Sequence, residues 1–137
     1  DRQFEKFGIM VVREFADDLP LVMGSPENMK QVALNIVLNA ADAMPNGGRL
    51  DIALRRVADG VLLAFTDTGP GIPPEIIPHI FEPFFTTKQE GKGTGLGLAV
   101  CYGIIKRHGG TITYKNSSIG GCFEIILPAL EDRENHG

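Results

Sequence analysis

Lys92-Gly93-Thr94-Gly95-Leu96-Gly97-Leu98, read together with Asp67-Thr68-Gly69-Pro70-Gly71 upstream, decides how this 137-residue chain is understood. Seven of its 17 glycines fall between Gly91 and Gly110. Gly93, Gly95 and Gly97 stand at the entry to an apolar, helix-like segment. There, free N–H groups and the helix dipole favour an anion, and Lys88 and Lys92 are the nearby cations. A flexible loop that merely precedes a helix is the plainer alternative. No Gly-Lys-Ser/Thr is present, so this is not a P-loop. The sixth position of a G-x-G-x-x-G register from Gly93 is Leu98, so the dinucleotide fingerprint fails as well.

Working outward, Ser25-Pro26-Glu27 starts a helix: a capping hydroxyl, proline at the first position and an acid in the first turn. That helix runs to about Met44, where Pro45-Asn46-Gly47-Gly48 stops it. Met29, Val32, Ala33, Ile36, Val37 and Ala40 form an apolar stripe, while Gln31, Asn35, Asn39 and Asp42 recur on another face. Polar residues on a helix are ordinarily solvated, but amides flanked by Leu34 and Leu38 fit that reading poorly. Mg²⁺ takes one or two protein oxygens and lets phosphates and water complete its shell, a task that suits Asn39. Asp67 ends an apolar strand. Its carboxylate can accept an exocyclic amine of adenine, with Gly69 and Gly71 allowing close backbone approach; an ordinary Asp-Thr-Gly turn is the alternative. Phe81-Glu82-Pro83-Phe84-Phe85-Thr86-Thr87-Lys88 crowds three phenylalanines into five positions, as core packing or as an exposed docking surface.

The remaining chain reads as strands and turns. Gly8 to Phe15, Leu21 to Met23, Leu50 to Val57, Val61 to Asp67, Thr111 to Lys115 and Cys122 to Leu127 are strand-like. A turn is expected at Asp59-Gly60 and a short helix near Pro74 to Ile80. A buried helix is expected from Gly95 to His108, stopped by Gly109-Gly110. Hairpin connections dominate and alternating βαβ units are not evident. The expectation is an α+β two-layer sandwich: a mostly antiparallel mixed sheet covered on one face by about three helices.

Composition suits one domain with one core. Hydrophobic residues make up 43%, charged residues 22%, and the formal net charge is −4. That balance argues against non-specific nucleic-acid binding but not against a nucleotide. Cys101 and Cys122 lie in apolar runs without metal-ligand spacing and are expected as buried, reduced thiols. No apolar run approaches the length of a membrane span. The domain is expected to be cytoplasmic, its parent being soluble or anchored in the inner membrane.

Together these stretches resemble the catalytic ATP-binding domain of sensor histidine kinases, in the gyrase/chaperone/histidine-kinase/mismatch-repair ATPase superfamily (the Bergerat fold). Residues 27–44 resemble its N box, 67–71 its G1 box, 81–88 its F box and 93–98 its G2 box. The resemblance covers Phe7 to Pro128. It implies Mg-ATP as ligand, with Asn39 holding Mg²⁺ and Asn35 close behind as a second candidate ligand. Asp67 would fix adenine N6, with Gly69, Gly71 and Ile80 lining the base pocket. The lid would run from about Thr86 to Gly95. Thr86, Thr87, Thr94, Leu96 and Leu98 would contact nucleotide, Gly93, Gly95 and Gly97 would give amides, and Lys88 and Lys92 charge. Asn35 stands where ATP-hydrolysing relatives carry a water-activating glutamate, which favours phosphoryl transfer over hydrolysis.

Three positions depart from the pattern. Asp42 replaces a phosphate-binding Lys or Arg, and Gly121 replaces a threonine or other small residue beside adenine. His79, His108 and His136 lack the phosphoacceptor's acidic neighbour and downstream proline. The acceptor histidine is therefore expected on a separate dimerisation domain. Residues 1–7 would be the linker to it, 8–128 the catalytic domain and 129–137 a charged tail. The resemblance implies an ATP-dependent histidine kinase that serves a response regulator indirectly. The isolated domain would be monomeric and its parent a homodimer. The alternatives are a serine kinase of the anti-sigma-factor type and a nucleotide-sensing module that transfers nothing.

Overall fold

Five strand segments rich in apolar residues, and two more with apolar residues at helical spacing, generate a sheet with helices packed on one face. The computed structural model describes residues 8–19, 25–58, 60–83, 85 and 97–129. In chain order the elements are β1 (Ile9–Phe15), α1 (Pro26–Ala43), β2 (Gly48–Val57), β3 (Gly60–Asp67), a 3-10 turn (Ile77–His79), α2 (Gly97–Arg107), β4 (Thr111–Asn116) and β5 (Gly121–Pro128). The strand expected at 21–23, Asp59 of the expected turn, and the flanks 1–7 and 130–137 lie outside the described residues. Ala129, expected to open the tail, is instead buried.

The sheet order is β1-β2-β3-β5-β4. β2–β3, β3–β5 and β5–β4 are antiparallel, but β1 runs parallel to β2, with Ile9 opposite Gly48 and Phe15 opposite Leu54. The chain therefore does contain a βαβ crossover, β1–α1–β2, which the sequence pattern did not show. The reason is that β1 is an edge strand with several exposed residues. Its apolar run stops at Val12 and its second half is exposed, unlike a parallel strand buried on both faces.

One core lies between the helices and the sheet. Ile9, Leu50, Phe65, Phe123, Ile125 and Ile112 from the strands meet Val32, Ile36 and Ala40 of α1 and Cys101, Ile104 and Ile105 of α2. Ile36 is 0% exposed, and burying such a side chain contributes on the order of 1.5–3 kcal/mol. α1 starts where the sequence indicates: Ser25 is extended and its Oγ accepts from the Asn28 N–H at 3.3 Å. α2 ends in a paired loop-back, with Gly110 N–H donating to Ile105 O and Gly109 N–H to Lys106 O. Gly109 sits at φ +76°, the left-handed conformation this termination requires.

The helices are also tied side by side. The Cys101 thiol donates to Val32 O at 3.7 Å. The His108 ring donates from Nδ1 to Ile104 O at 2.7 Å and accepts from Ser25 N–H at Nε2, 3.4 Å away. That pair of bonds requires the neutral Nδ1–H tautomer. Both cysteines are buried and reduced, as expected. Among the described residues no helix is long and apolar enough to cross a membrane.

Candidate functional site

The site is assembled where the C-terminal end of β3, the last turn of α1 and the tip of the β4–β5 hairpin converge. Asp67 is the last residue of β3 and is only 6% exposed. A buried carboxylate needs hydrogen bonds in place of water. Its Oδ1 accepts two, from Gly69 N–H at 2.8 Å and Gly121 N–H at 3.4 Å. Among the described residues no donor reaches Oδ2.

The loop after Asp67 is pressed between two neighbours. On one side, a Cβ on Gly69 would stand 3.0 Å from Ala43 O, so the loop lies against the end of α1. Thr68 Oγ1 accepts from Arg49 N–H at 3.0 Å and lies 3.4 Å from Met44 Sδ. On the other side, a Cβ on Gly120 would fall 2.1 Å from Asp67 O. Gly71 has φ +78° and lies against the Asn116 side chain. Asn116 Nδ2 donates to Ile72 O at 2.8 Å, and its Oδ1 accepts from Ile72 N–H at 2.9 Å.

Asn35 and Asn39 of α1 are half-buried, whereas Leu34 and Leu38 are 55% and 48% exposed. Gln31 and Asp42 at the ends of the same face are exposed, so this face is half-buried only at its middle, and Leu34 and Leu38 are solvated. Asn35 Nδ2 donates to Gly97 O at 3.3 Å, across 62 residues of chain. This bond fixes the first residue of α2, directly after the glycine-rich loop, to the middle of α1. Burial pushes the Cys101 thiol up, against the lowering effect of a hydrogen bond from Asn35. Ile80 is buried in the core cluster, and Leu98 packs against it.

Of the expected site residues, Asn35, Asn39, Asp67, Gly69, Gly71, Ile80, Gly97 and Leu98 are described, all on or beside the helical layer. Thr86, Thr87, Lys88, Lys92, Gly93, Thr94, Gly95 and Leu96 lie outside the described residues. For the phenylalanine cluster the core reading holds at two positions. Phe81 packs on Tyr102 and edge-on to Phe123, with centroids 5.6 and 6.2 Å away, and Phe85 packs against the core. Phe84 is outside the described residues.

Sequence reasoning missed Tyr114 and Asn116. The Tyr114 hydroxyl donates to Asn116 Oδ1 at 3.3 Å. Its pKa is pushed up to about 12 by burial, reinforced by the charges of Asp67 and Cys122. Nothing local in Thr111 to Asn116 announces this. A concavity of about 350 Å³ on the opposite face of the sheet, walled by Asp51, Arg55, Thr66, Lys115 and Glu124, shares none of these site residues. Three of its charged groups are paired, Asp51 with Arg49 and Lys115 with Glu124.

The described site is thus a buried carboxylate at a strand end, a loop pressed against its neighbours at Gly69 and Gly71, and an asparagine tied to the first residue of α2. Residues 24–131 match the family described as Histidine kinase-, DNA gyrase B-, and HSP90-like ATPase. The chain belongs to this family. It is 45% identical over 130 residues to the sensor kinase CckA of Brucella abortus, covering 82% of this chain and 14% of that protein. It superposes on the catalytic domain of the histidine kinase ThkA with a TM-score of 0.83 and 36% identity, covering 93% of this chain and 85% of that one. ThkA in complex with the response regulator protein TrrA matches at 0.80 and 31%, covering 96% of this chain and 37% of that one. The chain thus spans a small part of the length of CckA and corresponds to a catalytic ATP-binding domain of the sensor histidine kinase type.

Proposed function

We propose that this chain binds Mg-ATP and delivers the γ-phosphoryl group to a histidine on a separate dimerisation domain of the same protein, from which it passes to a response-regulator aspartate. The observation that carries this reading is Asp67: Oδ1 is committed to two backbone amides, leaving Oδ2 as an acceptor for the adenine N6 amine. Gly69, Gly71 and Ile80 would line the base, and Gly97 and Leu98 belong to the phosphate end with the loop before them.

Mg²⁺ fits the donor set through the half-buried Asn39 carboxamide, with Asn35 one turn before it. When bound, it would neutralise charge on the triphosphate. The chain's own part is positioning. Asn35 carries no carboxylate and already donates to Gly97 O, so it cannot serve as a base toward water. Lys88 and Lys92 would face the phosphates. The nucleophile is a neutral imidazole nitrogen of the partner domain. Its lone pair forms the N–P bond as the bond to the β–γ bridging oxygen breaks; ADP leaves, and a carboxylate beside the imidazole takes the proton from the other ring nitrogen. On this reading the catalytic unit runs from residue 8 through the buried Ala129, 1–7 lead from the dimerisation domain and 130–137 form a tail.

The test is transfer of labelled γ-phosphate to the segment encoded immediately upstream. An acid-labile, base-stable label, lost in Asn39→Ala, is expected. An acid-stable label on a serine protein would point to the anti-sigma type. Tight ATP binding without any label would leave a nucleotide sensor. Undiminished transfer by Asn39→Ala would refute the role given to Asn39.

A further inference from the structure

We propose that Asn116 is the positioning residue of the base-binding loop, oriented by Tyr114 and admitted by the absence of side chains at Gly71 and Gly121. The inference rests on the adenine reading of Asp67 and adds what holds that pocket in shape. Asn116 is the last residue of the edge strand β4. Its carboxamide makes both hydrogen bonds that a neighbouring strand's peptide would make, accepting from Ile72 N–H and donating to Ile72 O. The two bonds settle which end of the amide is oxygen. The Tyr114 hydroxyl, also donating to Oδ1, reinforces that orientation.

Space for the arrangement is made by glycine. A Cβ on Gly71 would lie 2.6 Å from Asn116 Oδ1, and a Cβ on Gly121 would lie 2.1 Å from the Tyr114 hydroxyl. Gly121 therefore leaves room for a tyrosine tip, and its N–H still donates to Asp67 Oδ1. The hairpin tip is itself rigidly closed. Ser117 N–H donates to Gly120 O at 2.7 Å, and Ser117 Oγ accepts from Gly120 N–H at 3.0 Å. Both ends of the loop are thus held by one device: Asp67 through Gly121, and Ile72 through Asn116. A loop held in its binding shape does not have to be ordered by the ligand, so its release weakens binding of the base more than binding of the phosphates.

The test measures Mg-ATP affinity of the 137-residue chain by calorimetry and, by competition, the affinity of inorganic tripolyphosphate with Mg²⁺. Asn116→Ala is expected to weaken Mg-ATP about tenfold while tripolyphosphate changes by less than about twofold. Asn116→Asp has nearly the same volume but sets an oxygen against Ile72 O, so it should bind Mg-ATP no better than Asn116→Ala. Tyr114→Phe should give a smaller loss of the same kind, and it carries the test if the Asn116 variants do not fold. Equal losses for both probes, or wild-type Mg-ATP affinity in Asn116→Asp and Tyr114→Phe, would overturn the proposal. Asp67→Ala separates the two levels. If it leaves Mg-ATP binding intact, the adenine reading falls and this inference with it; if it abolishes binding while the Asn116 and Tyr114 variants do not weaken it, only this inference falls.

Discussion

Asp67→Asn exchanges one oxygen for an amine within a nearly unchanged volume, and the structure fixes which way the new amide must face. Gly69 N–H and Gly121 N–H both point at Oδ1. The reversed orientation would set the amine against two donors, so the amide oxygen stays on that side and the amine takes the place of Oδ2. Folding then loses only the charge on two existing bonds. Charged hydrogen bonds are worth roughly 1.5–3 kcal/mol and neutral ones roughly 0.5–1.5, so over two bonds the expected destabilisation is about 2–3 kcal/mol. Adenine binding loses more. A donor now faces the N6 amine, forfeiting a charge-assisted bond of roughly 1.5–3 kcal/mol and leaving a buried donor unmet at roughly 1–3. The sum, about 2.5–6 kcal/mol, corresponds to a loss of roughly two to four orders of magnitude in ATP affinity. The amine suits the carbonyl that guanine carries at the same ring position, so the ATP-over-GTP preference should fall by more than ATP affinity alone requires. Calorimetric titration with Mg-ATP and Mg-GTP gives the binding side, and urea unfolding gives the folding side. Asp67→Ala should unfold more readily than Asp67→Asn, because it strands two amides. An ATP affinity within about threefold of wild type in folded Asp67→Asn would refute the adenine contact.

Three further outcomes follow from the packing and the caps. Ile36→Ala, at a fully buried position between α1 and the sheet, should cost about 2–5 kcal/mol in urea unfolding. Ser25→Ala removes the acceptor of the Asn28 N–H and should cost about 1 kcal/mol, with the loss confined to stability rather than phosphotransfer. Tyr114 holds its proton to about pH 12 in the fold, against an ordinary value near 10, chiefly through burial. The unfolded chain therefore binds fewer protons between those values, and stability should fall as pH rises from about 10 to 12. Tyr114→Phe should remove that part of the alkaline loss when unfolding midpoints are compared across pH.

Helix positions were legible because their signals are local. Ser25-Pro26-Glu27 caps α1 within four residues of chain, and Gly109-Gly110 ends α2 within two. The box residues were legible for a similar reason, since each box is a short run. The parallel pairing of β1 was not, because four apolar residues followed by two charged ones carry no signal of the strand they pair with or of its direction. The exposed leucines of α1 were misleading too: Leu34 and Leu38 suggested that the amides beside them were not simply solvated, which is right, but the leucines themselves are the outward residues.

By itself, the sequence determined the two-layer α+β class, the limits of α1, the stop of α2 and the family, because periodicity, caps and glycine spacing act over one or two turns of chain. Tertiary structure decided what touches Asp67 and its loop. Gly121 reaches Asp67 across 54 residues and Asn116 reaches Ile72 across 44. Those contacts exist because β5 inserts between β3 and β4 and brings the hairpin tip to the end of β3. Strand order is set by the burial of whole faces, a property of the assembled sheet that no single segment encodes.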